Sequence, residues 1–336
     1  MDCPRIPEIN YSDFGERLHK AARGRRIPWT GSIELTARCN LKCVNCYINV
    51  DERDEAARRN ELTSAEACAL IDDIADRGCL RLLLTGGEPF VRSDALDIYA
   101  HAKKRGLIVT LFTNGTLITP RIADCLREWP PHRVEITLYG VTEETYRMVT
   151  GVKGAFSRCI RGVELLLDRG VNVELKTMVL TVNAHELEKI EAFARERGLG
   201  FRFDPMVNMR LDGDSRPGLC RLSPEQVVAL DIGSERRVKA WKDFVSRYSG
   251  PPREPERLYR CAAGFGSFHI DSNARLSPCM TSRTPSYDLR RGSFAEGWEV
   301  FLPQVFSQKR TRVAPCQTCP ISAVCDQCPG TAQLEN

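Results

Sequence analysis

From Ser32 to Met206, short apolar runs alternate with longer amphipathic stretches. The runs Ser32–Leu35, Leu80–Leu84, Ile108–Phe112, Arg133–Leu138, Val171–Val179 and Gly200–Phe203 have strand length. The stretches between them space their apolar positions as helices do. Thr63 and Glu66 form a capping box that starts the first helix, and Asn183 with Glu186 has a similar form. Four helices end in the same dipeptide: Arg77-Gly78, Arg105-Gly106, Arg169-Gly170 and Arg197-Gly198. Glycine accepts the left-handed conformation that stops a helix, and arginine suits a helix C-terminus. An apolar strand follows each time. The repeat is a βα unit, so a parallel sheet or barrel is expected. Six units fall short of the eight in a full barrel. The pattern predicts an α/β fold, an open partial (β/α)6 barrel.

Beyond Met206 the pattern weakens. Arg216–Arg221 reads as loop and Pro224–Leu230 as helix. Ser249-Gly-Pro-Pro-Arg-Glu-Pro255 is a strong breaker. Phe268–Leu276 reads as a hairpin around Asp271–Ala274, and 289–307 as a short helix carrying Trp298. A further short helix is expected near Phe14–Arg23. The division is an N-terminal segment 1–30, the barrel 31–215, a helical linker 216–255 and a Cys-rich domain 256–336.

The chain has 336 residues, 42% of them apolar, with a net charge of +4. A large core can be buried, and so weak a charge bias does not argue for a nucleic-acid or membrane partner. No apolar run approaches the roughly 20 residues of a membrane helix. The polar N-terminus lacks a signal core, so a cytoplasmic location is expected.

Cysteine changes the picture. There are 15, and in a large cytosolic chain metal binding is favoured over disulfides. Cys39, Cys43 and Cys46 have the spacing C-x3-C-x2-C and follow the first strand. In βα barrels that strand end carries the chemistry. Three thiolates can ligate three irons of a 4Fe-4S cluster and leave the fourth open. Three core or zinc-binding cysteines are the alternative. Gly86-Gly87-Glu88-Pro89 ends the second strand. Glycines there let a ligand approach the backbone, and Glu88 adds an acceptor for an ammonium; a plain strand-to-helix turn is the bland alternative.

With both motifs in place, residues 31–206 resemble the radical S-adenosylmethionine (SAM) enzymes. The resemblance implies that the open iron chelates SAM and that Gly86, Gly87, Glu88 and Pro89 help hold its amino group. Reductive cleavage then yields a 5′-deoxyadenosyl radical that abstracts a substrate hydrogen. Asn114, in Thr113-Asn-Gly115, and Thr137, in Thr137-Leu-Tyr-Gly140, resemble further SAM-contacting segments. Lys176, Thr177 and Arg202 are weaker candidates. Asn45 stands where the family often has an aromatic or histidine, with Tyr47 the nearby aromatic. An electron donor such as flavodoxin or ferredoxin is implied.

The tail carries Cys261, Cys279 and then Cys316, Cys319, Cys325 and Cys328 as C-x2-C-x5-C-x2-C. Tetrahedral zinc is the bland reading of such pairs. Beside the first motif, the tail resembles the SPASM extension of radical SAM peptide-modifying enzymes, which holds auxiliary 4Fe-4S clusters. That resemblance assigns Cys316, Cys319 and Cys325 to a distal cluster and Cys261, Cys279 and Cys328 to a proximal one. Six cysteines leave two of eight ligand positions open, so one or two auxiliary clusters are expected. Cys220 and Asp326 are further donors to consider.

Cys68, Cys79, Cys125 and Cys159 read as buried and inert. Cys3 reads as exposed, Lys309–Arg312 as a solvated face, and Asp51–Asn60 as a solvated loop or lid. His101, His132 and His185 read as surface residues. The resemblance points to a maturase acting on a peptide or protein, with a separate leader-peptide-binding protein as a plausible partner. The alternatives are a sulfatase-maturing type of oxidation, tetrapyrrole side-chain modification, and a non-catalytic iron–sulfur or zinc protein.

Overall fold

The computed structural model describes residues 13, 15, 17, 20, 25–249, 256–259, 261, 263–311, 319, 321–325 and 328–335. Cys3, Cys316, Asp326 and most of the helix expected near Phe14–Arg23 lie outside them.

All six expected strands are present. They are β1 (Thr30–Thr36), β4 (Arg81–Gly86), β5 (Ile108–Thr113), β6 (Arg133–Thr137), β7 (Val173–Met178) and β8 (Gly200–Asp204). Short strands β2 (Arg38–Cys39) and β3 (Val50–Asp51) pair beside the cysteine loop. Helices α1 (Glu55–Asn60), α2 (Ser64–Asp76), α3 (Ala95–Lys104), α4 (Pro120–Glu128), α5 (Glu143–Thr150), α6 (Ala155–Leu167) and α7 (Leu187–Glu196) fill the connections. The strands pair in parallel in the order β1-β4-β5-β6-β7-β8. Their inward side chains, such as Ile33, Leu84, Leu111, Ile136 and Leu175, are buried in one core. Gly78, Gly106, Gly170 and Gly198 all have φ between 67° and 93°, the left-handed stop that the Arg-Gly repeat required.

Thr63 and Glu66 form the expected capping box. The other expected cap is different. Asn183 does not cap its own helix; its amide reaches the Tyr139 and Met178 carbonyls, both at 3.0 Å. Glu186 instead accepts from Val141 N and the Thr142 and Thr145 hydroxyls, at 2.7, 2.7 and 2.8 Å. It satisfies the start of α5, because a buried carboxylate seeks the nearest free backbone donors. The segment expected as a solvated loop at Asp51–Asn60 contains α1, capped by Asp54 through Ala57 N at 2.8 Å.

The region after 215 holds α8 (Pro224–Ile232) and α9 (Glu235–Tyr248), β9 (Ser267–Ile270), β10 (Arg275–Ser277), β11 (Tyr287–Asp288), α10 (Phe294–Glu296), α11 (Leu302–Phe306) and α12 (Pro329–Leu334). The sequence reading missed α9. The expected hairpin is β9–β10, but it does not form a sheet of its own. β9 runs parallel to β1 and extends the barrel's sheet at its open edge, with β10 and β11 antiparallel beyond. Trp298 locks this edge: it stacks on Phe294 at 6.2 Å and donates to Arg26 O at 2.9 Å. No helix among the described residues is long and apolar enough to cross a membrane.

Candidate active site

The cysteine loop leaves β2 and is held from three sides. Lys42 N and Val44 N donate to the carbonyls of Thr150 and Val149 at the end of α5, both at 2.9 Å. Leu211 N donates to Tyr47 O at 2.9 Å. On the third side lies the β4 end. Gly87 N donates to Thr36 O at 2.8 Å, and Glu88 N to Arg38 O at 2.9 Å. A Cβ on Gly86 would sit 2.2 Å from Thr36 O, and one on Gly87 2.4 Å from Arg38 O. These glycines are therefore needed first for backbone-to-backbone contact with the loop that carries Cys39. The side of each Cα where a Cβ would stand is filled by protein, while both residues also line the reaction cavity.

Glu88 is likewise committed inside the fold. It is fully buried and accepts from Thr113 Oγ1 at 2.8 and 2.9 Å, Asn114 N at 2.7 Å and Phe90 N at 3.2 Å. Burial, outweighing these bonds, pushes its pKa up to about 7. The carboxylate fixes the β5 end. That end aims Asn114, whose amide donates to Asn40 Oδ1 at 2.9 Å and approaches Cys39 Sγ at 3.7 Å. Pro89 is buried at the start of the turn that follows.

A cavity of about 370 Å³ opens at the C-terminal ends of the strands. Cys39, Cys43, Cys46, Tyr47, Gly86, Gly87, Asn114 and Thr137 all line it, whereas Glu88 and Pro89 stand behind its wall. Sequence reasoning named these lining residues. It placed Tyr139 only within a motif, and it missed Phe112, Asp204, Asn208 and Met280, which also line the cavity. Their signal was weak, since each is a single residue at a strand end or loop.

The site lacks partners of its own in informative places. Asn45 Oδ1 is buried with no hydrogen-bond partner, beside Tyr139, whose hydroxyl is 3.5 Å from Asn45 Nδ2. Burial pushes the Cys39 thiol up to about 12 and raises Cys43 and Cys46 as well. Thiols in so dry a setting become thiolates only beside a strong positive charge, which bound iron supplies. Among the described residues, no three His, Cys, Asp or Glu side chains converge on a point that a single ion would fill. The donor set, the orphaned amide oxygen and the glycine-tightened loop fit an iron–sulfur cluster with a ligand beside it.

The comparisons agree. The family model of the Radical SAM superfamily matches residues 33–195. The chain is 37% identical over 325 residues to an AdoMet-dependent heme synthase of Methanosarcina barkeri, covering 90% of each. The chain belongs to the radical SAM superfamily. A second AdoMet-dependent heme synthase, from Nitratidesulfovibrio vulgaris, is 34% identical and aligns over 92% of this chain and 91% of its own. Mycofactocin maturase MftC of Mycolicibacterium smegmatis is 32% identical over 54% of this chain and 45% of its own. In fold, SuiB of Streptococcus suis, solved bound to S-adenosylmethionine, matches 99% of this chain and 81% of its own with a TM-score of 0.70 at 15% identity. This radical SAM enzyme therefore uses a 4Fe-4S cluster and SAM, and its C-terminal strands are consistent with a SPASM-type extension.

The tail cysteines divide. Cys261, Cys279 and Cys328 lie close enough that each of the latter two raises the pKa of Cys261, after burial. These are the three that the resemblance grouped. Cys279 Sγ also accepts from Ser282 N at 3.3 Å. Cys319 and Cys325 are described, but Cys316 is not, so the distal set is incomplete in the described residues. Cys220 is buried and donates to Pro217 O at 3.0 Å, on a cavity whose described lining includes no tail cysteine. Cys79 and Cys159 are buried as expected, while Cys68 and Cys125 are partly exposed.

Proposed function

We propose that Cys39, Cys43 and Cys46 hold the SAM-cleaving cluster and that the substrate is a carboxylate-bearing tetrapyrrole whose side chain is oxidised. The similarity to two heme synthases across nine-tenths of both chains carries this reading. The peptide maturases align over shorter shares, as MftC does, so the reading moves from a peptide to a tetrapyrrole. When bound, cluster and SAM supply a 5′-deoxyadenosyl radical that removes hydrogen from unactivated carbon.

The chain's own residues do the rest. The Gly86–Gly87 backbone and Asn114 position the cysteine loop. Asn45 Oδ1 and Thr137 offer acceptors to a bound SAM. Lys176 and Arg202 line the cavity and supply positive charge. Lys176 Nζ sits 2.8 Å from the Phe112 ring centroid and 3.5 Å from the Glu135 carboxylate; Arg202 is 2.6 Å from the same carboxylate. Arg202 also lies 3.9 Å from Glu174, which Arg133 shares, so three cations meet two carboxylates and leave capacity for a substrate carboxylate. Phe112, Met178, Met206 and Val207 add apolar wall that keeps water away. Cys261, Cys279 and Cys328 would hold an auxiliary cluster that accepts the electron left on the substrate.

The test is turnover by anaerobically reconstituted enzyme with reductant and SAM. Iron coproporphyrin III should raise 5′-deoxyadenosine formation and change in mass. Turnover of a Cys- or Ser-containing peptide, with the porphyrin untouched, would return the reading to protein modification.

A further inference from the structure

A second cavity, of about 620 Å³, adjoins the cysteine loop. Its walls are the loop itself, the turn after β7 at Thr181–Val182, and the segment from Arg210 to Cys220. The size is that of a site for a drug-sized or larger ligand. Leu41, Val44, Val50, Val182 and Leu219 make the lining largely apolar. Leu41 also lines the reaction cavity, so one side chain divides the two.

The charges in this cavity do not balance. Lys42, Arg210 and Arg216 line it, against the single carboxylate of Asp51. Lys42 pairs with Asp51 at 3.1 Å. Arg210 and Arg216 both lean on one further carboxylate, Asp214, at 2.7 and 2.5 Å. Asp212 acts on Arg216 from further off, so Arg210 is left with one carboxylate that it shares, and it sits in a built setting. The residue is only 9% exposed, its backbone is locked to Asp214 O, and its Nε is buried with no hydrogen-bond partner. A buried guanidinium N–H left unpaired costs free energy, and an anion arriving from the cavity would recover it. Leu211 N, next in the chain, donates to Tyr47 O at 2.9 Å, so Arg210 is carried on the cysteine loop itself.

We propose that this cavity binds an apolar ligand through its carboxylate, with Arg210 as the buried anion receptor and Arg216 at the rim. Resting on the tetrapyrrole reading above, the proposal makes this the chamber in which the substrate docks beside the reaction cavity. Asp51 and Asp214 set the selectivity. They neutralise part of the positive charge, so the apolar body of the ligand and not its charge alone decides what is held.

The experiment is a fluorescence titration of the full, cluster-loaded enzyme with coproporphyrin III, without reductant. Etioporphyrin III, which has the ring but no carboxylates, is the control. The parent enzyme should bind coproporphyrin III saturably and etioporphyrin III about tenfold more weakly. Arg210→Gln should weaken coproporphyrin III by about tenfold, the loss of one charge-assisted hydrogen bond. Arg216→Glu and Leu219→Asp should weaken it too. Their side chains are 71% and 85% exposed, so these variants test the site without disturbing the fold. A dissociation constant unchanged in all three variants would overturn this site, and persistent turnover of the iron porphyrin would then leave the tetrapyrrole reading standing. Absence of saturable binding to the parent enzyme would overturn the site, and absence of turnover as well would overturn both.

Discussion

Two buried ionisable residues set testable pH behaviour. Lys176 is nearly surrounded by protein, and desolvation lowers its pKa to about 7 despite the neighbouring Glu135. As the pH rises through 7 it loses the charge that would hold a substrate carboxylate. The KM for an anionic substrate should therefore climb between pH 6 and pH 8, with kcat less affected. Lys176→Met should give a KM that is about tenfold higher at pH 6 and flat with pH. A parent KM independent of pH would remove Lys176 from substrate binding. Glu88 works through stability. Its pKa is raised to about 7 by burial, so the folded chain keeps a proton there that the unfolded chain loses near 4.5. Stability from this group is fully present below 4.5 and is lost as pH rises towards 7. The parent melting temperature should fall from pH 5 to pH 8, and the fall should be shallower in Glu88→Gln, which cannot ionise. Equal slopes in thermal melts of the two proteins would contradict the assignment.

At the scale of elements, the β4 end and the cysteine loop behave as one unit. Gly87→Ala would drive a methyl into Arg38 O and break the pairing of Gly87 N with Thr36 O. The barrel core lies elsewhere, so the variant should fold yet bind less iron and lose most SAM cleavage. Iron analysis and 5′-deoxyadenosine assays check this; full activity would mean that the loop tolerates the displacement. The βα repeat was legible because period, Arg-Gly stops and caps repeat along the chain and need only local physics. Cys39, Cys43, Cys46 and the Gly86–Gly87 pair were legible because their spacing is itself the signal. The role of Glu88 was not, since its partners Thr113 and Asn114 come from the next strand. Asn183 failed for a similar reason: a cap-like spacing was overridden by the carbonyls of Tyr139 and Met178 brought in by folding. The attachment of β9 to β1 joins residues more than two hundred positions apart, which no local pattern encodes.

The whole molecule depends on that attachment, because it sets the tail cysteines against the barrel. If Cys261, Cys279 and Cys328 share an auxiliary cluster, Cys328→Ala should lower iron by about four atoms per chain. SAM cleavage without substrate should persist; an unchanged iron content would dissolve the grouping. The joint itself is charged. Glu34 on β1 is 1% exposed and pairs with Arg283, four residues beyond Cys279, with one N–O contact at 2.9 Å. His269 on β9 is fully buried, and its Nδ1 is 2.9 Å from Ser32 Oγ. Burial and then the Arg283 charge hold it well below its usual pKa, so it stays neutral. Arg283 is thus the cation that compensates Glu34, and it lies 5.7 Å from the Tyr47 ring next to Cys46. Removing one partner of a buried pair leaves an uncompensated charge, a cost of about 3–5 kcal/mol. Arg283→Met should therefore loosen the tail and lower both the melting temperature and the iron content. Replacing both partners, as Glu34→Gln with Arg283→Met, removes the stranded charge and should restore much of the stability. A double variant as unstable as the single one would mean that Arg283 holds the tail through its hydrogen bond to Met280 O at 2.8 Å rather than through Glu34.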